Sequence, residues 1–345
     1  MKNEEVAICE VTTNDHTKNP NNMPYNMPFK VITPIFSYGA DQKTPEIRPA
    51  SIKGMMRYMW RIAQSLISSD ELLKKESELF GDAQKHVSPI RLAIVSKALK
   101  GESTSFLFHK NKFNKDAILP QNKQKQVNTF TLRMSLRFKS ESSKNMHFYE
   151  SLLELSFMLM GLGQRSRKGR GRAQIFSNEK LSSDEIKTKI LNHLNVIAEE
   201  RSYELDGKII KSQFNFKNIN RPVIEKVQFG KLRTTKQKNG TWDWKGFLKS
   251  VDDALHKIKV LKDSRGNSLK SKVKNDKGWK FATGDASPRF ASSIIVGVAD
   301  TKEGLLPIYT FVKPVVDGKL LDATTEWNRF IELIEGREAN HESRK

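Results

Sequence analysis

The segment from Gly161 to Arg172 constrains the fold of this chain more than any other feature of its sequence. Its twelve residues include five cations and four glycines, and no acidic residue lies within it or within six residues on either side. An apolar run with helical spacing, 148–162, leads into it, and a short strand-like run, 172–176, ends it. A basic, glycine-rich loop held between two ordered elements is typical of sites that bind phosphates, either along a nucleic-acid backbone or in one nucleotide.

The charge and length of the chain limit the kind of protein it can be. It has 345 residues and a formal net charge of +21 at pH 7. Because that charge repels itself in a compact state, we expect a polyanion such as nucleic acid as the partner. The length predicts two domains. The single cysteine, Cys9, excludes an internal disulfide and a cysteine-based zinc cluster.

No targeting, membrane or cofactor motif stands out in the sequence. The start of the chain has no apolar leader, and no later run approaches the about 20 apolar residues of a membrane span, so we expect a cytoplasmic protein with no membrane partner. The glycine-rich segment is not a P-loop, because Arg170-Gly171 follows Gly169 where a P-loop has its Lys-Ser/Thr pair. We therefore predict no cofactor and no metal.

The first half of the chain contains four strand-like and two helix-like runs. The predicted strands are 29–36, 89–95, 128–138 and 172–176, and the predicted helices are 51–66, with Ser51 as N-cap, and 148–162. The order strand, helix, strand, strand, helix, strand is that of the ferredoxin-like fold, which many RNA-binding modules use. The polar, lysine-rich segment 101–125 is interpreted as an insertion between the second and third strands.

The second half has a weaker form of the same order. The predicted strands are 223–229, 293–299 and 306–312, the predicted helices are 244–261 and 325–334, and 262–280 is expected to be a mobile basic loop. We therefore expect an α+β protein with tandem ferredoxin-like (RRM-like) domains and long basic insertions. The expected domains are 1–180, which carries the glycine-rich loop, and 181–345, which is more divergent. The segment from His341 onward is expected to be a polar tail.

The first predicted helix carries a row of cations. Lys53, Arg57 and Arg61 are four residues apart and lie opposite much of an apolar Met/Ile stripe, and Arg48 stands just before the helix. No acidic residue has helical spacing to them, which favours phosphate contact over a merely solvated face. Asp41, in the loop before the helix, is expected to accept backbone amides in an Asx turn.

The segment 33–61 and the glycine-rich loop 161–171 that follows it in the chain resemble two motifs of the RAMP proteins of CRISPR–Cas systems. Within that superfamily the match is closest to the family of the first-numbered subunit of the type III-B Cmr complex. The resemblance is strong over about 29–82 and 155–176 and thin elsewhere. The matching residues are Thr33-Pro-Ile-Phe-Ser-Tyr-Gly-Ala-Asp-Gln42, Glu46-Ile-Arg-Pro-Ala-Ser-Ile-Lys-Gly-Met-Met-Arg-Tyr-Met-Trp-Arg61, Phe80-Gly81, Gly161 to Gly171 and Ala286-Ser-Pro-Arg-Phe290.

The resemblance implies two ferredoxin-like domains and a non-catalytic, RNA-binding role in an antiviral ribonucleoprotein effector. There the protein would lie near the 3′ end of the CRISPR RNA beside other Cmr subunits and help to capture target RNA. Gly54 would allow close packing at the helix start. The stretch 1–28 is longer than the family pattern predicts. The residues implied in RNA contact are Arg48, Lys53, Arg57, Arg61, Gly163, Arg165, Arg167, Lys168, Arg170 and Arg172.

Two other functions explain part of this pattern. A CRISPR-RNA processing endoribonuclease of the same superfamily would share the fold and the loop, and it would need a histidine or carboxylate as general acid or base. The seven histidines are scattered, and the pairs worth naming are His16 with Asp15 and His86 with Asp82. A general RNA-binding protein would explain the charge but not the order of the motifs.

Overall fold

The computed structural model describes most of the chain, as six helices and fifteen strands. The described residues are 24–64, 68–95, 99–108, 113–137, 145–198, 202–213, 219, 221–237, 240–260, 285–286, 289–316, 319–320 and 324–336. In these residues the helices are α1 (Pro49–Ala63), α2 (Ser69–Phe80), α3 (Met146–Leu159), α4 (Ser183–Ala198), α5 (Trp244–Val260) and α6 (Thr324–Ile334).

The strands form two main sheets and several short hairpins. They are β1 (Tyr25–Val31), β2 (Ile90–Ile94), β3 (Glu102–Ser105), β4 (Asn114–Ala117), β5 (Thr129–Leu136), β6 (Ala173–Ile175), β7 (Tyr203–Asp206), β8 (Ile209–Ser212), β9 (Val223–Phe229), β10 (Asp285–Ala286), β11 (Arg289–Phe290), β12 (Ile294–Asp300), β13 (Leu305–Lys313), β14 (Val315–Val316) and β15 (Lys319–Leu320). The protein therefore mixes helices with antiparallel sheets.

The first sheet has the order β2-β5-β1-β6, with all neighbours antiparallel. Its alternation places Met27, Phe29 and Leu132 in the core and leaves the residues between them on the opposite face. The predicted strands 89–95, 128–138 and 172–176 are confirmed. The prediction 29–36 is wrong at both ends, because β1 begins at Tyr25 and Pro34, which lacks an N–H, follows its end.

Helix α1 packs its apolar stripe into the core as predicted, with Met55, Met56 and Met59 buried. Ser51 is not its N-cap, so that prediction is wrong: the helix starts at Pro49, and Arg48 has the extended backbone of the cap. Proline is preferred at this first position because its φ is already helical and its missing N–H is not needed.

Every residue of helix α3 from Phe148 to Leu159 is buried except Glu150. It contacts α1, α4 and β6, and it also contacts β12 and β13 of the second sheet. A helix that is apolar all round belongs in the centre of a protein. The helix predicted at 148–162 is confirmed, and the structure adds that it contacts strands of both sheets.

The second sheet has the order β12-β13-β9-β8-β7. Strands β9, β12 and β13 and helices α5 and α6 confirm the elements predicted at 223–229, 293–299, 306–312, 244–261 and 325–334. The sequence analysis missed α2, α4 and the hairpin β7–β8, and it did not predict that 101–125 contains the hairpin β3–β4. The expected loop 262–280 and the tail from His341 lie outside the described residues, as does most of 1–28.

Strands β12 and β13 are buried along almost their whole length, which requires cover on both faces. Ile295 and Ile308 pack into the core shared with α3 and α4, whereas Val296 and Tyr309 pack with α5 and α6. The first core therefore continues across the expected domain boundary at residue 180. No helix in the described residues is long and apolar enough to cross a membrane.

Gly54 lies in the second turn of α1, and its expected role in close packing is wrong within this chain. The residue is exposed, and a Cβ placed on it would meet no atom within 4 Å. A glycine in a helix interior is less favourable than alanine because it gives up more conformational freedom when the chain folds.

We predict that Gly54→Ala raises the free energy of unfolding by about 1 kcal/mol. Urea denaturation followed by circular dichroism would measure it. Gly171→Ala is the contrasting variant, because its Cβ would clash with the backbone of Leu162, and we expect it to destabilise the protein. A loss of stability in Gly54→Ala would contradict the packing described here.

Candidate nucleic-acid interface

The cations of α1 lie beside the loop that follows α2. Lys53 donates from Nζ to Ser88 Oγ at 2.7 Å and to the carbonyl oxygen of Ile90 at 3.0 Å. Arg57 donates to the carbonyl oxygen of Gly81 at 2.6 Å. Partial burial, and then the nearby charges of Arg137 and Arg57, lower the pKa of Lys53. The row thus concentrates positive charge at one edge of the first core.

The row has an acidic partner that helical spacing could not reveal. Glu76 of α2 is buried, and its carboxylate accepts hydrogen bonds from Arg61 and forms an ion pair with Arg57 at 3.3 Å. The hydrogen bonds to Glu76 raise the pKa of Arg61. One carboxylate shared by two guanidinium groups leaves a net positive charge, and the Arg61 side chain remains 45% exposed. Arg48, at the helix cap, is exposed.

A groove of about 580 Å³ runs along this edge, lined by Arg57 and residues 80–88. Its loop is held by Asp82, whose carboxylate accepts the backbone N–H groups of Gln84 and Lys85 and lies 2.8 Å from His86 Nδ1. The Lys85 amide and the His86 ring hold the pKa of Asp82 well below its usual range.

Asp41, in the loop before α1, forms the predicted Asx turn by accepting the amides of Lys43 and Thr44, which confirms that expectation.

The glycines of the basic loop bring its backbone against the protein itself. Gly163, Gly169 and Gly171 have φ values of 79°, 82° and 73°, a region that side chains disfavour. A Cβ on Gly163 would strike the backbone of Phe36, and one on Gly169 would press on Phe247 at 3.0 Å. These glycines therefore allow close packing within the chain. From the sequence alone, the same glycines were expected to allow a ligand to approach.

The loop adds backbone hydrogen bonds to the edge of the second sheet. Val296 of β12 donates its N–H to the carbonyl oxygen of Arg167, and Gly169 donates its N–H to the carbonyl oxygen of Val296, both at 3.0 Å. On its other side the loop is bonded to the segment after β1, where Gln164 N–H donates to the carbonyl oxygen of Phe36. Through these hydrogen bonds the loop connects β12 of the second sheet with the segment that follows β1 of the first sheet.

Asp252 of α5 forms ion pairs with two of the loop's cations. Its carboxylate accepts hydrogen bonds from Arg165 at 2.8 Å and Arg170 at 2.5 Å, and also from the backbone N–H of Phe108 at 2.7 Å. Arg170 and Asp252 are both completely buried as side chains. Burial is the main cause that lowers the pKa of Arg170, to about 10, although the charge of Asp252 opposes it.

Arg172 is also completely buried, with no acidic partner among the described residues. It donates to the carbonyl oxygens of Val296 and Ser166, while its Nε and Nη1 atoms have no hydrogen-bond partner in the structure. Burial lowers its pKa to about 9. The guanidinium carbon would lie 3.0 Å from a Cβ on Gly297, so the glycine in β12 makes room for it.

The two remaining cations of the loop contact the start of β12. Arg167 donates to the carbonyl oxygen of Ser292 at 2.6 Å and lies over the ring of Tyr58, and Lys168 donates to Ser292 Oγ at 2.7 Å. Lys168 is 9% exposed, whereas Arg165 and Arg167 are half-buried.

The structure thus divides the ten predicted RNA contacts into two groups. The α1 row, which comprises Arg48, Lys53, Arg57 and Arg61, and Gly163 lie at the surface or partly so. The loop cations contact α5, β12 or Ser292 just before it, and Lys168, Arg170 and Arg172 are buried. Contact with RNA stays a prediction for all ten. Asp252 was missed by the sequence analysis, although an acid next to Val251 on the apolar stripe of α5 was a usable signal.

The described residues bear on metal-ligand clusters and on the two predicted histidine pairs. They contain no group of three or more His, Cys, Asp or Glu side chains that could hold a metal. Of the two histidine pairs, His16 lies outside the described residues, and His86 with Asp82 forms an exposed pair in the groove.

We predict that Asp252→Asn lowers the free energy of unfolding by about 3–5 kcal/mol, because it leaves two arginines without a buried counter-charge. The neighbouring Asp253→Asn is the matched control: its partner Lys249 is exposed, so we expect a loss of about 0–1 kcal/mol. Chemical denaturation of both variants would test this. Equal losses would mean that Asp252 does not hold the loop.

Comparison with known proteins gives one family and one fold. Residues 28–174 match the family model described as the RAMP superfamily. No curated protein sequence matches the chain. The crystal structure of Cmr1 from Pyrococcus furiosus, in its apo form, is 15% identical, covers 91% of this chain and 97% of its own, and has a TM-score of 0.52.

Chains of two cryo-EM structures of the type III-B Cmr-beta complex are also similar. One complex is bound to cognate target RNA, with 12% identity, coverage of 92% of this chain and 99% of that one, and a TM-score of 0.52. The other is bound to cognate target RNA and AMPPnP in the presence of ssDNA, with 13%, 91%, 99% and 0.51 for the same quantities. Such identities show the shared fold. The part of the chain that matches a family model, residues 28–174, is similar to the RAMP superfamily.

Proposed function

We propose that this protein is a non-catalytic, RNA-binding subunit of a type III-B CRISPR effector. It would lie near the 3′ end of the CRISPR RNA beside other Cmr subunits, in the cytoplasm, and assist the capture of target RNA in antiviral defence. The observation that carries the proposal is the cationic edge formed by α1 and the 81–88 groove, in a chain with a net charge of +21. The fold shared with chains of complexes bound to target RNA supports it.

The strand order of both sheets supports the expectation of tandem ferredoxin-like domains. Numbered along the chain, the strands of the first sheet lie in the order 2-3-1-4, with α1 after the first and α3 after the third. This is the arrangement of a ferredoxin-like domain. In the second sheet, β12-β13-β9 repeats the order 2-3-1, and β8 takes the fourth place. We propose two ferredoxin-like domains, 1–180 and 181–345, fastened together by the basic loop.

The absence of catalysis is part of the proposal. Cleavage of RNA without a metal needs an acid and a base around the 2′-hydroxyl. The pair His86 and Asp82 is exposed, and its carboxylate is already used to hold three backbone amides of its own loop. This pair is more simply explained as a loop support than as a nuclease site.

Removing two exposed cations at opposite ends of the α1 row should weaken RNA binding. In Arg48→Gln/Arg61→Gln, Arg57 still pairs with Glu76, so the fold is retained. We predict that the slope of log K against log salt becomes shallower by about 1.4, or about 0.7 for each phosphate that the variant no longer neutralises. Fluorescence anisotropy with unrelated single-stranded RNA sequences would measure it.

The matched control is Lys211→Gln/Lys249→Gln, which removes two charges from side chains that are 51% and 61% exposed. It should leave the slope unchanged. Losses of affinity that depend strongly on RNA sequence, or an equal change in the control, would contradict phosphate contact by the α1 row.

Catalysis would be tested by incubating the protein with end-labelled CRISPR repeat RNA and with unrelated RNA, with and without Mg²⁺ or Mn²⁺. We expect salt-sensitive binding and intact RNA. A single defined cut that His86→Ala abolishes would instead identify a processing endoribonuclease.

A further inference from the structure

One face of the first sheet remains open to solvent, and its residues can be mapped from the strand register. The core face carries Met27, Phe29 and Leu132, so the alternate residues of each strand lie on the other side. We call that side the open face. It comprises Asn26, Pro28, Lys30, Arg91, Ala93, Val95, Thr129, Thr131, Arg133, Ser135, Gln174 and Phe176. All are exposed or half-buried except Lys30.

The open face is arranged in rows that cross the strands. Phe176, Pro28, Thr131 and Val95 form one row, joined by backbone hydrogen bonds from Phe176 to Pro28 and from Val95 to Thr131. The next row is Asn26, Arg133 and Ala93, and the last is Ser135 and Arg91. Successive rows lie about 7 Å apart, since each is two residues further along the strands.

The charge of this face has one sign. The four strands contain no aspartate or glutamate, and Arg91 and Arg133 are both exposed. Arg133 donates from Nε to Asn26 Oδ1 at 3.0 Å, which holds its guanidinium group along the sheet. Arginines with neutral hydroxyl and amide groups between them match a polyanion that also offers hydrogen-bonding bases.

The same face offers an aromatic surface beside the cations. Phe176 is 44% exposed and Val95 is 41% exposed, at opposite ends of one row. An exposed phenylalanine on a β-sheet is a surface on which an unpaired base can stack whatever its sequence. Phe176 lies one row from Arg133, so this face offers an aromatic and a cationic side chain in successive rows, which suits a strand whose bases and phosphates alternate.

The positive charge continues from the open face onto the second half. Asp300, at the end of β12, is shared by Lys30 and Lys180, each at 2.8 Å from one of its oxygens. Lys180 lies over the ring of Trp242 at 5.8 Å, and Lys236 lies over the same ring at 4.9 Å. Two lysines around the Asp300 carboxylate, and a third beside the Trp242 ring, extend the cationic strip past the sheet edge.

We propose that the open face is a binding surface for single-stranded RNA, distinct from the α1 row and the basic loop. The inference rests on the proposed RNA-binding function and adds a surface to it. Charge decides between occupants: a basic face without a single acid in its four strands fits a polyanion, whereas a protein partner would bring mixed charges and a larger apolar area. Phosphates would contact Arg91 and Arg133, and a base would stack on Phe176.

The test compares two variants of the full chain with matched controls. Arg91→Gln/Arg133→Gln should lower the salt slope of single-stranded RNA binding by about 1.4, and Lys211→Gln/Lys249→Gln should not. Phe176→Ala should weaken binding about 5- to 150-fold, the range expected when one base stack is removed. Leu73→Ala, which truncates a side chain that is 64% exposed on α2, should leave binding unchanged. Circular dichroism melting would show that all four variants are folded.

The outcomes separate this surface from the proposed function. If the wild-type chain does not bind RNA, the proposed function is wrong and this surface with it. If the wild type and both open-face variants bind RNA equally, the surface is wrong and the proposed function stands. If the variants bind RNA normally but no longer enter the assembled complex, the open face docks a protein, which also overturns the RNA proposal.

Discussion

The two halves of this structure depend on how the glycine-rich loop fits between them. Asp252 pairs with both Arg165 and Arg170, and the backbone of Val296 forms hydrogen bonds with the backbone of Arg167 and Gly169. Arg172 adds a buried charge with no acidic partner among the described residues, held only by carbonyl oxygens. A buried guanidinium group is costly unless its hydrogens are bonded. The contact between the loop and the second half therefore depends on precise hydrogen-bond geometry, because the burial of its arginines is itself costly.

This arrangement changes what a basic, glycine-rich sequence means. Such a segment matches a phosphate site in composition, yet here its glycines allow contact with Phe36, Phe247 and Leu162. Further positive charge lies at the surface on the α1 row and on the exposed side of the first sheet. Composition can therefore indicate the class of partner without indicating which residues meet it.

Periodic segments could be predicted from the sequence, and contacts between distant segments could not. The strands β2, β5, β9 and β13 and the helices α3 and α5 follow apolar spacing, so their positions were predictable. The helix α4 and the short strands β7 and β8 have weaker patterns and were missed. The pairing of Arg61 with Glu76, and of Arg170 with Asp252, joins residues 15 and 82 positions apart, which no local spacing reveals.

The place where the loop meets β12 has one more consequence. β12 is the outermost strand of the second sheet, and an outer strand presents unpaired N–H and C=O groups that can recruit strands from other molecules. At Val296 those groups are already taken by Arg167 and Gly169. The loop therefore occupies the hydrogen-bonding groups of this edge strand at Val296, where a strand of another molecule could otherwise pair. This protection limits self-association in addition to the charge repulsion between copies of so basic a chain.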